Sequence, residues 1–182
     1  MNASIAARAQ SRSVSPVTLA AYGATATFIV LAVMFAAVLP AFGTHPPLPL
    51  LMAVGIDAIA FHLLLFPVIA ALPAPSWAKA AGYGWLVVDI ASNVMAINGV
   101  AGDTTTALRL GGHIAAVTWV AAAAYSTRGW TRIVGYALAV FLGSYSFWGQ
   151  YEPQPAFGPA LLLMAAWVAL CAWRLQKGEG QP

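Results

Sequence analysis

The chain reads as an all-α integral membrane protein, a bundle of six transmembrane helices joined by short loops. Three observations predict it. Of 182 residues, 61% are hydrophobic and only 7% are charged, against roughly 25% charged in a soluble domain. The apolar residues fall in runs of about 20, the length a helix needs to cross the hydrocarbon of a bilayer. The 8 Lys and Arg and the 5 Asp and Glu cluster mostly between those runs. With a mean hydropathy of +0.79, a soluble globule could not cover its own surface. The composition also excludes a basic nucleic-acid-binding face and intrinsic disorder. The pI of about 9.3 is read as loops facing anionic lipid rather than a polyanionic partner.

The predicted spans are residues 17–41, 49–72, 81–100, 106–126, 131–149 and 156–174, flanked by tails at 1–16 and 175–182. The first run far exceeds the 7 to 15 residues of a signal-peptide core, so it is expected to be retained as a helix. It ends at Gly43-Thr44-His45-Pro46-Pro47, and the second ends at Pro73-Ala74-Pro75-Ser76. The third, fourth and fifth stop at Gly102-Asp103-Thr104, Ser126-Thr127-Arg128-Gly129 and Gln150-Tyr151-Glu152-Pro153. Each break is a turn or capping signal, and connections this short make consecutive helices antiparallel neighbours. Cys171 is the single cysteine, which excludes an intrachain disulfide.

Orientation follows from the basic residues. Arg8, Arg12, Lys79, Arg128, Arg132, Arg174 and Lys177 all fall on one side of this threading, which the positive-inside rule makes the cytoplasm. Both termini are then cytoplasmic and the protein belongs in a cytoplasmic (inner) membrane. Trp77, Trp130 and Trp173 lie near the inner boundary and Trp148 near the outer one, where interfacial anchors belong. The polar residues of helices 1 to 3 and 4 to 6 do not align, so no inverted repeat is predicted.

Ionisable side chains in hydrocarbon cost roughly 2.5 to 3.5 kcal/mol each, so each one present is a candidate for function. Helix 2 carries Asp57 and His62, helix 3 Asp89 and Asn93, and helix 4 Arg109 and His113. At 1.5 Å per residue, Asp57, Asn93 and His113 lie roughly 10 to 12 Å below the outer surface, and His62 and Asp89 roughly 17 to 20 Å. Asp89 with Asn93, and Arg109 with His113, are four apart and form one polar stripe on each of two consecutive helices. Asp57 and His62 are about 140° apart around their helix, so only one can face a common centre. Depth favours Asp57.

The expected site is a pocket open to the outer half of the membrane. Asp57, Asp89 and His113 are its acid–base groups, and His62, Asn93 and Arg109 line it. Trp85, four residues before Asp89, forms its floor, and Ser144, Trp148 and Tyr151, which share a face of helix 5, form its roof. Such a site suits a lipophilic small molecule that is isomerised, cyclised or hydrated by proton transfer.

Other readings stand beside this one. Buried Asp, Asn and His may act only as interhelical glue, worth about 0.6 kcal/mol per bond, which would fit an accessory subunit of a complex or a homo-oligomer. An ion or proton relay needs ionisable groups in the cytoplasmic halves, where the sequence has none. Haem ligation by His62 and His113 is opposed by a depth difference of roughly 7 Å. No His-x-x-x-His or Cys pair signals zinc, and no phosphate loop, dinucleotide motif or serine-nucleophile motif occurs. No metal and no cofactor are therefore expected. The expected partners are the lipid bilayer and a lipophilic small molecule, with no nucleic acid.

Overall fold

A computed structural model describes residues 14–43, 46–149 and 158–178. Those residues form six long helices and, among them, no strand. Helix α1 runs Pro16–Ala41, α2 Leu48–Ala71, α3 Ser76–Ile97, α4 Gly102–Tyr125, α5 Trp130–Trp148 and α6 Gly158–Gln176. All except α5 are long and apolar enough to cross a membrane. Helix α5 is as long as α6, but Arg132, Ser144, Tyr145 and Ser146 lower its apolar content.

The helix ends have local causes. Ser15 caps α1, its hydroxyl accepting from the Thr18 N–H at 3.1 Å, with Pro16 in the first turn. Near its far end α1 widens into a π turn at Met34–Val38, just before Pro40, whose missing N–H breaks the regular ladder. Helix α3 begins five residues before the expected 81. Pro75 opens it, and Lys79, whose charge suggested a loop, bends back to donate to the Ala70 carbonyl at the end of α2 at 2.6 Å. The same helix stops three residues before the expected 100. Asn98 caps it, Gly99 adopts φ 81°, and the Val100 N–H bonds to the Met95 carbonyl at 3.0 Å. This is the left-handed closing turn that glycine permits. Helix α4 begins at Gly102 rather than 106, because Asp103 and the following threonines form a polar first turn instead of a loop, with the acid on the favourable end of the helix dipole.

The six helices close into a ring. Each packs on its neighbour in sequence, and α6 returns to α1. The Tyr22 hydroxyl donates to Gln176 Oε1 at 2.5 Å across that last seam. Large side chains fill the middle. Phe28 of α1, Phe61 and His62 of α2, Trp85 of α3, Trp119 of α4 and Trp167 of α6 form a continuous series of ring contacts, with centroids 4.8 to 5.9 Å apart.

Lipid supplies no hydrophobic drive to bring helices together, so close packing must hold them, and small residues permit it. A methyl group on Gly82 would come within 2.8 Å of Trp119, and one on Gly135 within 2.6 Å of Trp167. Each glycine is the seat of an indole. Of the Gly111-Gly112 pair, Gly112 lies against Val88 of α3, while Gly111 faces open space.

At one end of the ring lie Lys79, Arg128, Arg132, Arg174 and Lys177. Arg132 donates to the last carbonyl of α4, that of Tyr125, at 2.8 Å, as Lys79 does at the end of α2. Trp77, Tyr125, Trp130 and Trp173 are exposed around this basic end, and Phe147 and Trp148 around the opposite one. Arg8 and Arg12 lie outside the described residues.

Candidate functional site

The two polar stripes of α3 and α4 face each other, and α2 adds a third member. Their meeting point is one oxygen atom, Oδ2 of Asp89. His62 Nε2 lies 3.0 Å from it, the Trp85 indole N–H donates to it at 2.7 Å, and His113 Nε2 stands at 3.4 Å. Asp89 and His62 are buried, and His113 is half-buried. All three sit near the middle of their helices.

Local sequence explains the convergence. Trp85 and Asp89 are one turn apart on α3, so indole and carboxylate share a face. The absent side chain at Gly112 lets the α4 backbone approach, and a methyl group there would lie 2.7 Å from Val88 and 3.6 Å from Asp89 Oδ1. His113 follows directly on that point of closest approach.

The surroundings of His62 decide the proton count of the centre. Its Nδ1 lies 2.6 Å from the Ala58 carbonyl oxygen. A carbonyl only accepts, so Nδ1 carries hydrogen. The contact between Nε2 and Asp89 is then either imidazolium to carboxylate or carboxylic acid to neutral imidazole. In both forms the two side chains hold one mobile proton and carry no net charge. A neutral pair is what a dry interior tolerates, because an isolated buried ion costs several kcal/mol. The second imidazole, His113, lies against the ring of Tyr145 on α5, with centroids 5.1 Å apart.

Toward the end of the bundle opposite the basic one, the polar line continues. The Asn93 amide donates to the Asp89 carbonyl at 2.7 Å, and the Ser92 hydroxyl donates to the same carbonyl at 3.0 Å. Arg109 in turn donates to Asn93 Oδ1 at 3.1 Å. Toward the basic end the line stops at Trp85, Trp119, Leu65, Ile69 and Leu86, all essentially inaccessible. Among the described residues, no Asp, Glu, His, Lys or Arg is buried on that side.

Several expectations need correction. Asp57 does not join the centre and His62 does. Asp57 is half-buried, and its Oδ2 has no hydrogen-bond partner among the described residues. Depth alone pointed to Asp57, but the rotation of α2, set by Phe61 packing on Phe28 and by Ala58 facing inward, turns His62 to Asp89. Trp148 does not roof a cavity, being 61% exposed on the surface of the bundle. The Ser144 hydroxyl is spent on the Phe141 carbonyl in its own helix. Tyr151 lies outside the described residues. Trp85 is more than a floor, because it donates directly to the carboxylate.

Arg109 pairs with Asn93. Trp119 and Trp167 are buried in the core. Two further buried atoms of the centre, Asp89 Oδ1 and His113 Nδ1, have no hydrogen-bond partner among the described residues. Both histidine Nε2 atoms point at the same carboxylate oxygen, so neither faces a site for an axial haem ligand. Among the described residues no group of three His, Cys, Asp or Glu is arranged to hold a metal ion. Compared with known proteins, the chain matches no family model, no curated protein and no solved structure.

Proposed function

We propose that this protein crosses a cytoplasmic membrane six times with both ends on the cytoplasmic side, binds a lipophilic small molecule from the opposite side and acts on it by proton transfer at Asp89. His62 and His113 are the proton partners of that carboxyl, and Trp85 holds its Oδ2 in place. Asn93 and Arg109 line the approach. Isomerisation, cyclisation and hydration, which begin with a proton donated and end with one withdrawn, are the reaction class that such a centre serves.

One observation carries the reading: Asp89 Oδ2 lies 3.0 Å from His62 Nε2 and 3.4 Å from His113 Nε2, three ionisable side chains brought together inside an otherwise apolar bundle. Interhelical glue needs no titratable group, and amide or hydroxyl side chains would serve. A relay through the membrane needs proton acceptors on both sides of the centre, but the basic half is filled by indoles and aliphatic side chains. The one-sided polar line supports a site that opens toward one surface only.

The test is the ligand content of protein purified in mild detergent, measured by mass spectrometry of its organic extract, for the wild type and for Asp89→Asn. Asparagine keeps the shape and the indole bond but cannot exchange a proton. Expected is a lipophilic molecule that copurifies with the wild type at near-stoichiometric amounts and is altered or lost in the variant, with the melting temperature little changed. Equal content and identity of bound molecules in the two proteins would refute the proposal. So would proton flux across liposomes that requires Asp89.

A further inference from the structure

A second feature lies away from this centre, at the basic end. Between the start of α3 and the last two turns of α4 runs a surface groove of about 540 Å3, lined by Pro75, Trp77, Thr118, Ala121, Ala122 and Tyr125. Short side chains at Ala121 and Ala122 leave the space, and the exposed rings of Trp77 and Tyr125 stand beside it. The few polar atoms of the lining are turned inward. The Thr118 hydroxyl donates to the Ile114 carbonyl at 2.9 Å, and that of Ser126, at the end of the groove, donates to the Ala122 carbonyl at 3.1 Å. What remains on the wall is hydrocarbon.

Two arginines adjoin the lining. Arg132 is anchored on the carbonyl of Tyr125, a lining residue. Arg128 follows two residues after Ser126 and is exposed. The anchoring bond uses one donor of Arg132, whereas a guanidinium has five. The remaining donors are available to an anion. Among the described residues no acidic side chain lies at this end, since Asp57, Asp89 and Asp103 are all elsewhere.

An apolar slot flanked by interfacial aromatic rings, with uncompensated cations where the headgroups of the bilayer lie, is complementary to one amphiphile. We propose that the groove holds an acyl chain of an anionic phospholipid, whose phosphate is bound by Arg128 and Arg132. The site is independent of the proton-transfer centre. Its occupant bridges α3 and α4 on their outer face, near the ends of both helices.

The test compares dioleoylphosphatidylglycerol with dioleoylphosphatidylcholine, which have the same chains but different headgroup charge. Each is added to the delipidated full chain and followed by native mass spectrometry and thermal shift. Expected is retention of the anionic lipid in preference to the zwitterionic one. The Arg128→Gln/Arg132→Gln pair should weaken retention roughly 30-fold, at about fivefold per charge. Ala122→Phe, which fills the slot from the surface without touching the cations, should abolish the preference. Glycerol 3-phosphate, which has the charge without the chain, should not displace the lipid at equal concentration. Equal retention of the two lipids overturns the proposal, as does undiminished retention by folded Ala122→Phe protein or ready displacement by glycerol 3-phosphate.

Discussion

The two halves of the bundle are built from the same helices and serve different purposes. In the basic half, from Trp85 and Trp119 down to Ile69 and Leu72, the buried side chains of the described residues are apolar except for the hydroxyls of Thr18, Thr127 and Thr131, and none is ionisable. Glycines there, at positions 82 and 135, exist to seat indoles. In the opposite half the same three central helices present Asn93, Arg109 and His113 inward, with Asp89 and His62 at the boundary. One half holds the ring together, and the other gathers ionisable side chains in a place where charge is expensive. The division also shows how a helical bundle can tolerate an ionisable centre: the ionisable groups are confined to one layer, and the layer beneath holds none, although the indole N–H groups of Trp119 and Trp167 there have no hydrogen-bond partner among the described residues.

If that division is real, substitutions in the two halves must differ in kind. The largest stability loss is expected for Trp119→Ala, which empties the middle of the aromatic series. Core truncations of this size cost about 3–5 kcal/mol, and thermal unfolding in detergent should show it. Bound ligand should persist in whatever fraction stays folded. A folded Trp119→Ala protein with normal stability and lost ligand would place the site in the wrong half.

A comparable loss, about 3–5 kcal/mol, is expected for His62→Ala, because it leaves the Asp89 carboxylate buried without its proton partner. Here Asp89→Asn introduced into the His62→Ala background should recover most of the stability, since no charge then remains. The same rescue will not work for Trp119→Ala. A smaller penalty, about 1–3 kcal/mol, follows from Gly135→Ala, whose methyl group meets Trp167 and Ala124. Gly111→Ala, one residue from the tight Gly112 contact but facing open space, should instead stabilise by up to about 1 kcal/mol. Least of all, Arg109→Gln should change stability by about 0.6 kcal/mol, the value of an ordinary bond between membrane helices. Its effect should appear in ligand retention rather than in melting.

How much of this could be read beforehand depended on which physical variable governed each feature. Helix number and order followed from run length, and the four-residue spacing on α3 and α4 marked two polar stripes that could face each other, but depth alone put His113 level with Asn93 rather than with Asp89. The choice between Asp57 and His62 did not, because residue rise fixes depth whereas rotation about the helix axis is fixed by neighbours. On α2 those neighbours are Phe28 and Trp85, and no property of the α2 sequence alone names them. The ends of α3 and α4 were misjudged for a related reason. Lys79 and Asp103 are polar yet helical, since their charges complement the carbonyls and N–H groups exposed at helix ends. The groove beside Trp77 was invisible in one dimension, arising only where Ala121 and Ala122 meet the start of another helix.

The bond from Trp85 to Asp89 gives the centre a built-in optical readout. That indole shares its carboxylate with one imidazole and meets the same imidazole edge-on at 5.5 Å, so movement of the proton between acid and base alters the charge felt by a single chromophore. Stacked on it, 5.9 Å away, is Trp119, close enough for the two to share excitation. Loading the protein should therefore change the colour and intensity of its ultraviolet emission without any added dye, and Trp85→Phe should silence that response while the other six tryptophans still emit, Trp119 without its stacked partner.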